Sequence, residues 1–167
     1  RRITSAFPDV LFESCAGGGG RFDLGMMCFM PQAWCTDDTD AWMRCKIQHS
    51  TSLVFPTSTM GAHVSAVPNH QTGRSTPLAT RANVAMNGAY GYELDLNKLN
   101  DEQKAEMKAF TEEYKKVADF TLDCDMYRLI SPETDKFYAY MQVKKDKSKA
   151  LFTFIQLYST GFNENFV

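Results

Sequence analysis

The chain has 167 residues, of which 44% are hydrophobic and 23% are charged, a composition typical of a globular domain and not of a disordered segment. The formal net charge of −2 excludes the strongly basic surface that holds nucleic acid or an anionic membrane. No apolar run approaches the roughly 18 residues that a membrane-spanning helix needs. We therefore expect neither nucleic acid nor a membrane among the partners of this chain.

Apolar runs predict four strands in the first part of the chain, at residues 10–15, 32–36, 52–55 and 90–94. The first run ends in polar residues, as expected of a buried parallel strand whose carboxyl end meets a site. The third strand is followed by a stretch rich in polar residues, which predicts a long loop over residues 56–74.

Helices are predicted between these strands. The first is expected to reach about residue 49 with Asp38 or Thr39 as its N-cap. The second has the pattern of an N-cap at Thr76 followed by Pro77, and Gly88 is the expected stop after residue 87.

A third helix, after the fourth strand, has the clearest pattern in the sequence. Asn100 is its expected cap, with Gln103 three residues later as in a capping box. Glu112 and Lys116 are predicted to pair on the exposed side. Apolar residues at spacings of three and four predict one buried stripe: Met107, Phe110, Tyr114 and Val117.

The pattern changes after residue 119. Residues 137–143 and 150–158 read as two strands joined by a charged turn, which predicts an antiparallel hairpin. The alternating strands and helices before them favour a parallel sheet or barrel. Four such strands fit half of a (β/α)8 barrel, followed by the start of a separate β domain.

Chemistry in α/β barrels lies at the carboxyl ends of the strands. Polar residues follow each predicted strand here, and the densest acidic group is Asp37, Asp38 and Asp40. Paired carboxyl groups are what glycosidases commonly need, but acids at this position can equally cap a helix. Asp38 and Asp40 fit the cap better, since Asp37 precedes the helix and can face the barrel mouth.

Three further features have competing interpretations. The glycine run 17–20 after Cys15 lacks the spacing of a phosphate loop, so it is either a flexible turn or a place where backbone amides reach sugar hydroxyls. His63 and His70 have no carboxylate or cysteine partners at metal spacing, so a structural role is favoured over a metal site. Trp34 is predicted to be a core residue rather than a stacking platform for a sugar.

Four segments, in the same order, closely resemble motifs of the α-galactosidases of glycoside hydrolase family 36. They are residues 12–23 (FESCAGGGGRFD), 34–41 (WCTDDTDA), 60–74 (MGAHVSAVPNHQTGR), and the pair 83–86 and 91–96 (NVAM, GYELDL). Departures are few, and Ala16, where the family usually has Ser, is the one nearest the expected site.

The resemblance implies the second half of a catalytic (β/α)8 TIM barrel over residues 1–120 and a truncated part of the antiparallel β C-terminal domain over residues 121–167. It implies a retaining α-galactosidase that hydrolyses melibiose and raffinose, with Asp37 as proton donor and without metal or other cofactor. Cys15, Gly17, Gly18 and Asp37 are the expected substrate contacts. The alternatives are a galactosyltransferase of the raffinose-synthase type and a carbohydrate-binding fragment without turnover.

The family's nucleophile belongs to a Lys-Trp-Asp motif that is absent from this sequence. The chain also starts at Arg1 and stops at Val167 after a strand-like run, so we expect a fragment that is inactive alone. The resemblance favours a homo-oligomer for the complete protein.

The cysteines bear on the compartment. They are five, an odd number, without Cys-x-x-Cys spacing: Cys15, Cys28, Cys35, Cys45 and Cys124. This argues against a zinc site and a disulfide framework, and free thiols predict a cytoplasmic protein.

Overall fold

The computed structural model describes residues 1–15, 17 and 20–158. Its helices are α1 (Arg2–Ala6), α2 (Leu24–Met27), α3 (Ala41–Thr51), α4 (Leu78–Ala85) and α5 (Asp101–Thr121). Its strands are β1 (Glu13–Cys15), β2 (Gln32–Trp34), β3 (Gly61–Ser65), β4 (Ala89–Glu93), β5 (Cys124–Ile130), β6 (Phe137–Lys144) and β7 (Ala150–Gln156). Short 3₁₀ turns cover Thr57–Thr59 and Leu96–Lys98. Within the described part of the chain, no helix has the length and apolar character required to cross a membrane.

The first four strands are parallel and follow one another in chain order. β1 pairs with β2, and β3 pairs with β4. A single parallel bridge from Ala33 to Met60 joins the two pairs. Helices α3, α4 and α5 alternate with these strands, and α4 packs on β3 around buried Val64, Ala82 and Ala85. The predicted part-barrel is thus confirmed.

The last three strands form an antiparallel sheet in the order β5-β6-β7. One face of β6 presents Tyr138 and Tyr140, which are buried against Ala41 and Cys45 of α3 and Val84 of α4. The sheet therefore shares a hydrophobic core with the outer helices of the parallel part. The predicted hairpin is confirmed, whereas β5 was not predicted, and the domain boundary at residue 120 stays a prediction.

Helix α5 matches its sequence pattern closely. The Asn100 side chain accepts a hydrogen bond from the Gln103 N–H at 2.8 Å and the Gln103 side chain accepts one from the Asn100 N–H at 3.1 Å, which completes the capping box. Met107 is buried, and Tyr114 stacks on Tyr90 of β4 with ring centroids 4.8 Å apart. The predicted pairing with Lys116 is wrong: Glu112 pairs with Lys115, because residues three apart on a helix are also neighbours.

The third predicted strand is wrong. Helix α3 continues to Thr51, and residues 52–55 turn back with Leu53 and Val54 exposed. The strand that lies beside β4 is instead Gly61–Ser65, within the predicted loop. Its small and polar residues carry no β-branched run, so its buried position depends on neighbours distant in the sequence.

Three boundaries also differ from prediction. The N-cap of α3 is Asp40, not Asp38 or Thr39, and its side chain accepts from the Trp42 N–H. The N-cap of α4 is Pro77 without a side-chain bond, while the Thr76 carbonyl accepts from Arg81. Strand β1 starts only at Glu13, because its parallel ladder with β2 is three residues long, so residues 10–12 are not in the strand.

Gly88, just before β4, is expected to tolerate no side chain. A Cβ built there would lie 2.7 Å from the Met60 carbonyl oxygen and 2.8 Å from the Ala62 Cβ. We predict that Gly88→Ala lowers the free energy of unfolding by about 1–3 kcal/mol, since fixed backbone must move. Denaturant titration measures this change. Gly61→Ala is the matched control, because its Cβ would be 3.5 Å from the nearest atom, and equal losses in both variants would contradict the prediction.

Candidate active site

A cavity of about 280 Å³ opens at the carboxyl ends of the parallel strands. Because the strands are parallel, the last residues of β1, β2 and β4 meet at this edge: Cys15, Trp34 and Glu93. The segment between β2 and α3 and the loop after β3 complete the wall with Thr36, Asp37, Thr39 and His70. The sequence-based expectation of a polar site at this edge agrees with the structure.

Asp37 is exposed and lines the cavity. It lies at a bend in the segment between β2 and α3 and precedes the N-cap of α3 by three residues. None of the described residues donates a hydrogen bond to its carboxylate, which leaves both oxygens available to a molecule in the cavity. Its backbone, in contrast, is held: the Asp37 carbonyl accepts from Gln71 Nε2 at 2.7 Å.

Asp38 and Asp40 have structural roles. The buried Asp40 carboxylate accepts from the Trp42 N–H at 3.1 Å and from the Thr72 hydroxyl at 2.9 Å, and it forms an ion pair with Arg74. Asp38 Oδ1 accepts from the Asp40 N–H at 2.9 Å. Burial raises the pKa of Asp38, while the charges of Arg44, Arg74 and His70 partly oppose this shift. The helix-cap interpretation thus holds for Asp40, while Asp38 binds the N–H of the N-cap residue and the Asp37 carboxylate does neither.

The segment 69–74, here called the clamp loop, fastens the stretch between β2 and α3. Gln71 accepts from the Thr39 N–H at 3.0 Å through Oε1. The buried Asn69 donates from Nδ2 to the Thr39 hydroxyl at 3.0 Å. Ser65, at the end of β3, donates its hydroxyl hydrogen to the Thr39 carbonyl at 2.7 Å. Side chains at the end of β3 and in the clamp loop therefore fix the position of Thr39 in the segment after β2.

Cys15 lines the cavity with an exposed side chain, and its carbonyl accepts from Arg21 Nη2 at 3.0 Å. Gly17 has a φ of +58°, which favours glycine, and a Cβ there would lie 3.2 Å from Arg21 Nη2. Gly17 does not line the cavity, so its conformation serves the turn. Gly18 lies outside the described residues, and the substrate contacts of both glycines stay predictions.

Below the cavity lies a layer of packed rings. The His63 and Trp34 rings meet edge to face with centroids 4.3 Å apart, and the Arg44 guanidinium lies 5.7 Å from the Trp34 centroid. Burial, and to a lesser degree Arg44, lower the pKa of His63, so the ring is neutral at pH 7. A Cβ on Gly91 would lie 2.7 Å from His63 Nε2, so Gly91 leaves room for that ring. Trp34 thus has both a packing role and a place in the cavity wall.

Several lining residues were not singled out from the sequence. Glu93 was recognised only as a polar strand end, and His70 only as a doubtful metal ligand. The signal for both was their place after a strand, which does not say which side chains turn into the cavity. Among the described residues, no three His, Cys, Asp or Glu side chains gather in a way that could hold a metal ion.

The family model described as Melibiase matches residues 1–123. Among curated relatives, α-galactosidase AgaA of Geobacillus stearothermophilus is 54% identical over 155 residues, covering 93% of this chain and 21% of the relative. The bifunctional α-galactosidase/sucrose kinase AgaSK of Mediterraneibacter gnavus is 47% identical over 156 residues, covering 93% of this chain and 17% of the relative. The chain thus spans about a fifth of the length of these relatives.

Solved structures show the same similarity. The galactosidase domain of AgaSK superimposes with a TM-score of 0.95 at 46% identity, covering 99% of this chain and 23% of that one. A structure of the family GH36 α-galactosidase AgaA A355E D548N from Geobacillus stearothermophilus, in complex with raffinose, has a TM-score of 0.90 at 53% identity, covering 92% of this chain and 21% of that one. The part-barrel followed by an antiparallel sheet is therefore shared with α-galactosidases.

The cysteines should differ sharply in reactivity towards iodoacetamide. Cys15 and Cys28 are exposed, whereas Cys35 and Cys45 are buried, and burial raises the pKa of Cys45 to about 12. Because the thiolate is the reactive form, we predict fast labelling of the first two and protection of Cys45 in the folded protein. Mass spectrometry of labelled peptides measures this, with labelling in urea as control. Labelling of folded Cys45 as fast as Cys28 would contradict the structure.

Proposed function

This chain belongs to the Melibiase family, and on that premise we propose that the protein that carries it is a retaining α-galactosidase. The single observation that supports the assignment of Asp37 is that its two acidic neighbours have hydrogen-bond partners for their carboxylates, whereas the Asp37 carboxylate has none among the described residues. Asp38 and Asp40 are engaged in hydrogen bonds to the backbone, while Asp37 faces the cavity with an uncommitted carboxylate. Asp37 is therefore the proposed proton donor and general acid/base.

The proposed substrates are terminal α-galactosyl residues of oligosaccharides such as melibiose and raffinose. Support comes from AgaA, whose structures were determined with raffinose and with stachyose. Cys15 lines the cavity and is a proposed contact to the sugar. Gly17 and Gly18 are proposed as backbone contacts from the family resemblance alone, since Gly17 does not line the cavity. No cofactor takes part in the proposed reaction.

The mechanism follows from the two carboxyl groups that retaining glycosidases use. A nucleophilic carboxylate attacks C1 of galactose and forms a covalent ester, while Asp37 gives a proton to the leaving oxygen. Asp37, now a carboxylate, takes a proton from water, which attacks C1 and releases galactose with its original configuration. We assign the nucleophile to the family's Lys-Trp-Asp motif, which these 167 residues do not contain.

Glu93 is the residue to test against this assignment, because it is the second carboxylate that lines the cavity. We propose that it orients galactose hydroxyl groups and does not attack C1. A homo-oligomer and a cytoplasmic location complete the proposal. The latter is supported by five free cysteines, two of them exposed.

Replacing Asp37 by Ala in the full-length protein is expected to separate substrates by leaving group. We predict a loss of about 10²–10⁴-fold in kcat/KM for melibiose, whose leaving group needs a proton, and a much smaller loss for an activated aryl galactoside. Added azide should accelerate turnover of the aryl substrate, because it needs no general base. Equal losses without azide rescue would contradict the role of Asp37.

The same measurements distinguish Glu93. Glu93→Gln is expected to lower kcat/KM by the same factor for melibiose and for the aryl galactoside, since a contact to the sugar does not depend on the leaving group. Trapping with a mechanism-based fluoro-galactoside should label an aspartate outside these 167 residues. Covalent labelling of Glu93 would overturn the proposed assignment of the nucleophile.

The 167-residue chain alone is expected to show no turnover, because only one of the two proposed catalytic carboxylates lies within it. Release of galactose from melibiose measures this, with the full-length protein as the positive control. Galactose release by the purified chain at a rate abolished in Asp37→Ala would show that both catalytic groups are present.

A further inference from the structure

We propose that Gln71 is a positioning residue that holds Asp37 in place for proton transfer, an inference that rests on the proposed function of Asp37. Its side-chain amide binds the backbone on both sides of Asp38. Nε2 donates to the Asp37 carbonyl at 2.7 Å, and Oε1 accepts from the Thr39 N–H at 3.0 Å. Two bonds of opposite polarity from one planar group fix both the place and the orientation of the segment they hold.

Asp37 needs such support because its carboxylate has none of its own among the described residues. Asp37 is exposed at a bend outside the helices and strands, where backbone rotation would move the carboxylate relative to the cavity. A proton donor must stay within hydrogen-bond reach of the leaving oxygen, and displacement by about 1 Å can cost 10²-fold in rate. Support must therefore come through the backbone, and Gln71 is the side chain that binds the Asp37 carbonyl.

Gln71 is itself held in a closed loop. Its N–H donates to Asn69 Oδ1 at 2.9 Å, and that oxygen also accepts from the Thr72 N–H at 3.0 Å. The Asn69 N–H donates to the Arg74 carbonyl, and the Gly73 N–H donates to the Asn69 carbonyl, both at 2.8 Å. Asn69 is buried, so this anchor is screened from water. The clamp loop can therefore transmit the position of β3 to Asp37.

The clamp loop performs two separable tasks. Thr72 and Arg74 bind the buried Asp40 carboxylate and so hold the start of α3. Gln71 alone of the described clamp-loop residues binds the Asp37 backbone. A variant at Thr72 thus perturbs the same loop, including the 3.3 Å bond from the Thr72 hydroxyl to Asn69 Oδ1, and leaves both side-chain bonds of Gln71 in place, so it provides a matched control.

The experiment compares Gln71→Met, Gln71→Glu, Thr72→Val and Asp37→Ala in the full-length protein. Met has similar length but makes neither bond, and Glu keeps the acceptor for Thr39 but loses the donor to Asp37. For both Gln71 variants we expect kcat/KM for melibiose to fall about tenfold more than kcat/KM for an activated aryl galactoside. The loss should lie in kcat, with KM for melibiose nearly unchanged. Thr72→Val should lower thermal stability without changing the ratio of the kcat/KM values for the two substrates.

Two outcomes would overturn the inference in distinguishable ways. If Asp37→Ala separates the two substrates and the Gln71 variants do not, Gln71 has no positioning role and the proposed function stands. If Asp37→Ala fails to separate them, the proposed function falls, and the role of Gln71 falls with it. Thr72→Val could also change the ratio of kcat/KM for melibiose to kcat/KM for the aryl galactoside as much as Gln71→Met does. That result would show general loosening of the clamp loop and would overturn the positioning role of Gln71.

Discussion

The buried carboxylate of Asp40 is the interaction on which the site depends. It caps α3 through the Trp42 N–H, and it binds Thr72 and Arg74 of the clamp loop. The Arg74 guanidinium also lies 4.8 Å from the centroid of the Trp42 ring, so the cation bridges the helix and the loop. A buried charge must be paired, and this requirement brings two segments more than thirty residues apart in sequence to one place. The pairing holds the clamp loop against the start of α3, and Gln71 of the same loop binds the Asp37 carbonyl.

A second constraint lies beneath the cavity, where the chain buries the cation Arg44. Its Nη2 donates to the Gly61 carbonyl and its Nε donates to Gln48 at 2.9 Å. Burial lowers the pKa of Arg44, whereas Cys35, Asp38 and Glu93 oppose the shift. The cation therefore interacts electrostatically with Asp38 and with Glu93 of the cavity wall, and it adds to burial, the larger cause, in lowering the pKa of His63.

Prediction from sequence succeeded where the local sequence pattern alone favours the element that the tertiary structure contains. Helix α5 carries its capping box and apolar stripe in one continuous segment, and β6 and β7 are apolar-rich runs separated by a charged turn. Prediction failed where a segment is buried by elements that are distant in the sequence. Strand β3 has Val64 as its single strong strand-forming residue, but its backbone pairs with β4 and Val64 is buried beside α4. Leu53 and Val54 look like a strand, yet they lie exposed in a turn after α3.

The sequence by itself determined the family, through four motifs in order, and it predicted Asp37 and Cys15 as site residues. Spacing favoured Asp37 for the cavity but left open whether the three acids serve a site or only a helix N-terminus, because acids are favourable there in either case. Only the tertiary structure decided this, since the partners of Asp40 come from the clamp loop and those loops meet only after β2 and β3 lie side by side. For the same reason, only the fold shows that Glu93 and His70 line the cavity and that Gln71 binds the Asp37 carbonyl. The sequence motifs contain these residues but do not show their contacts.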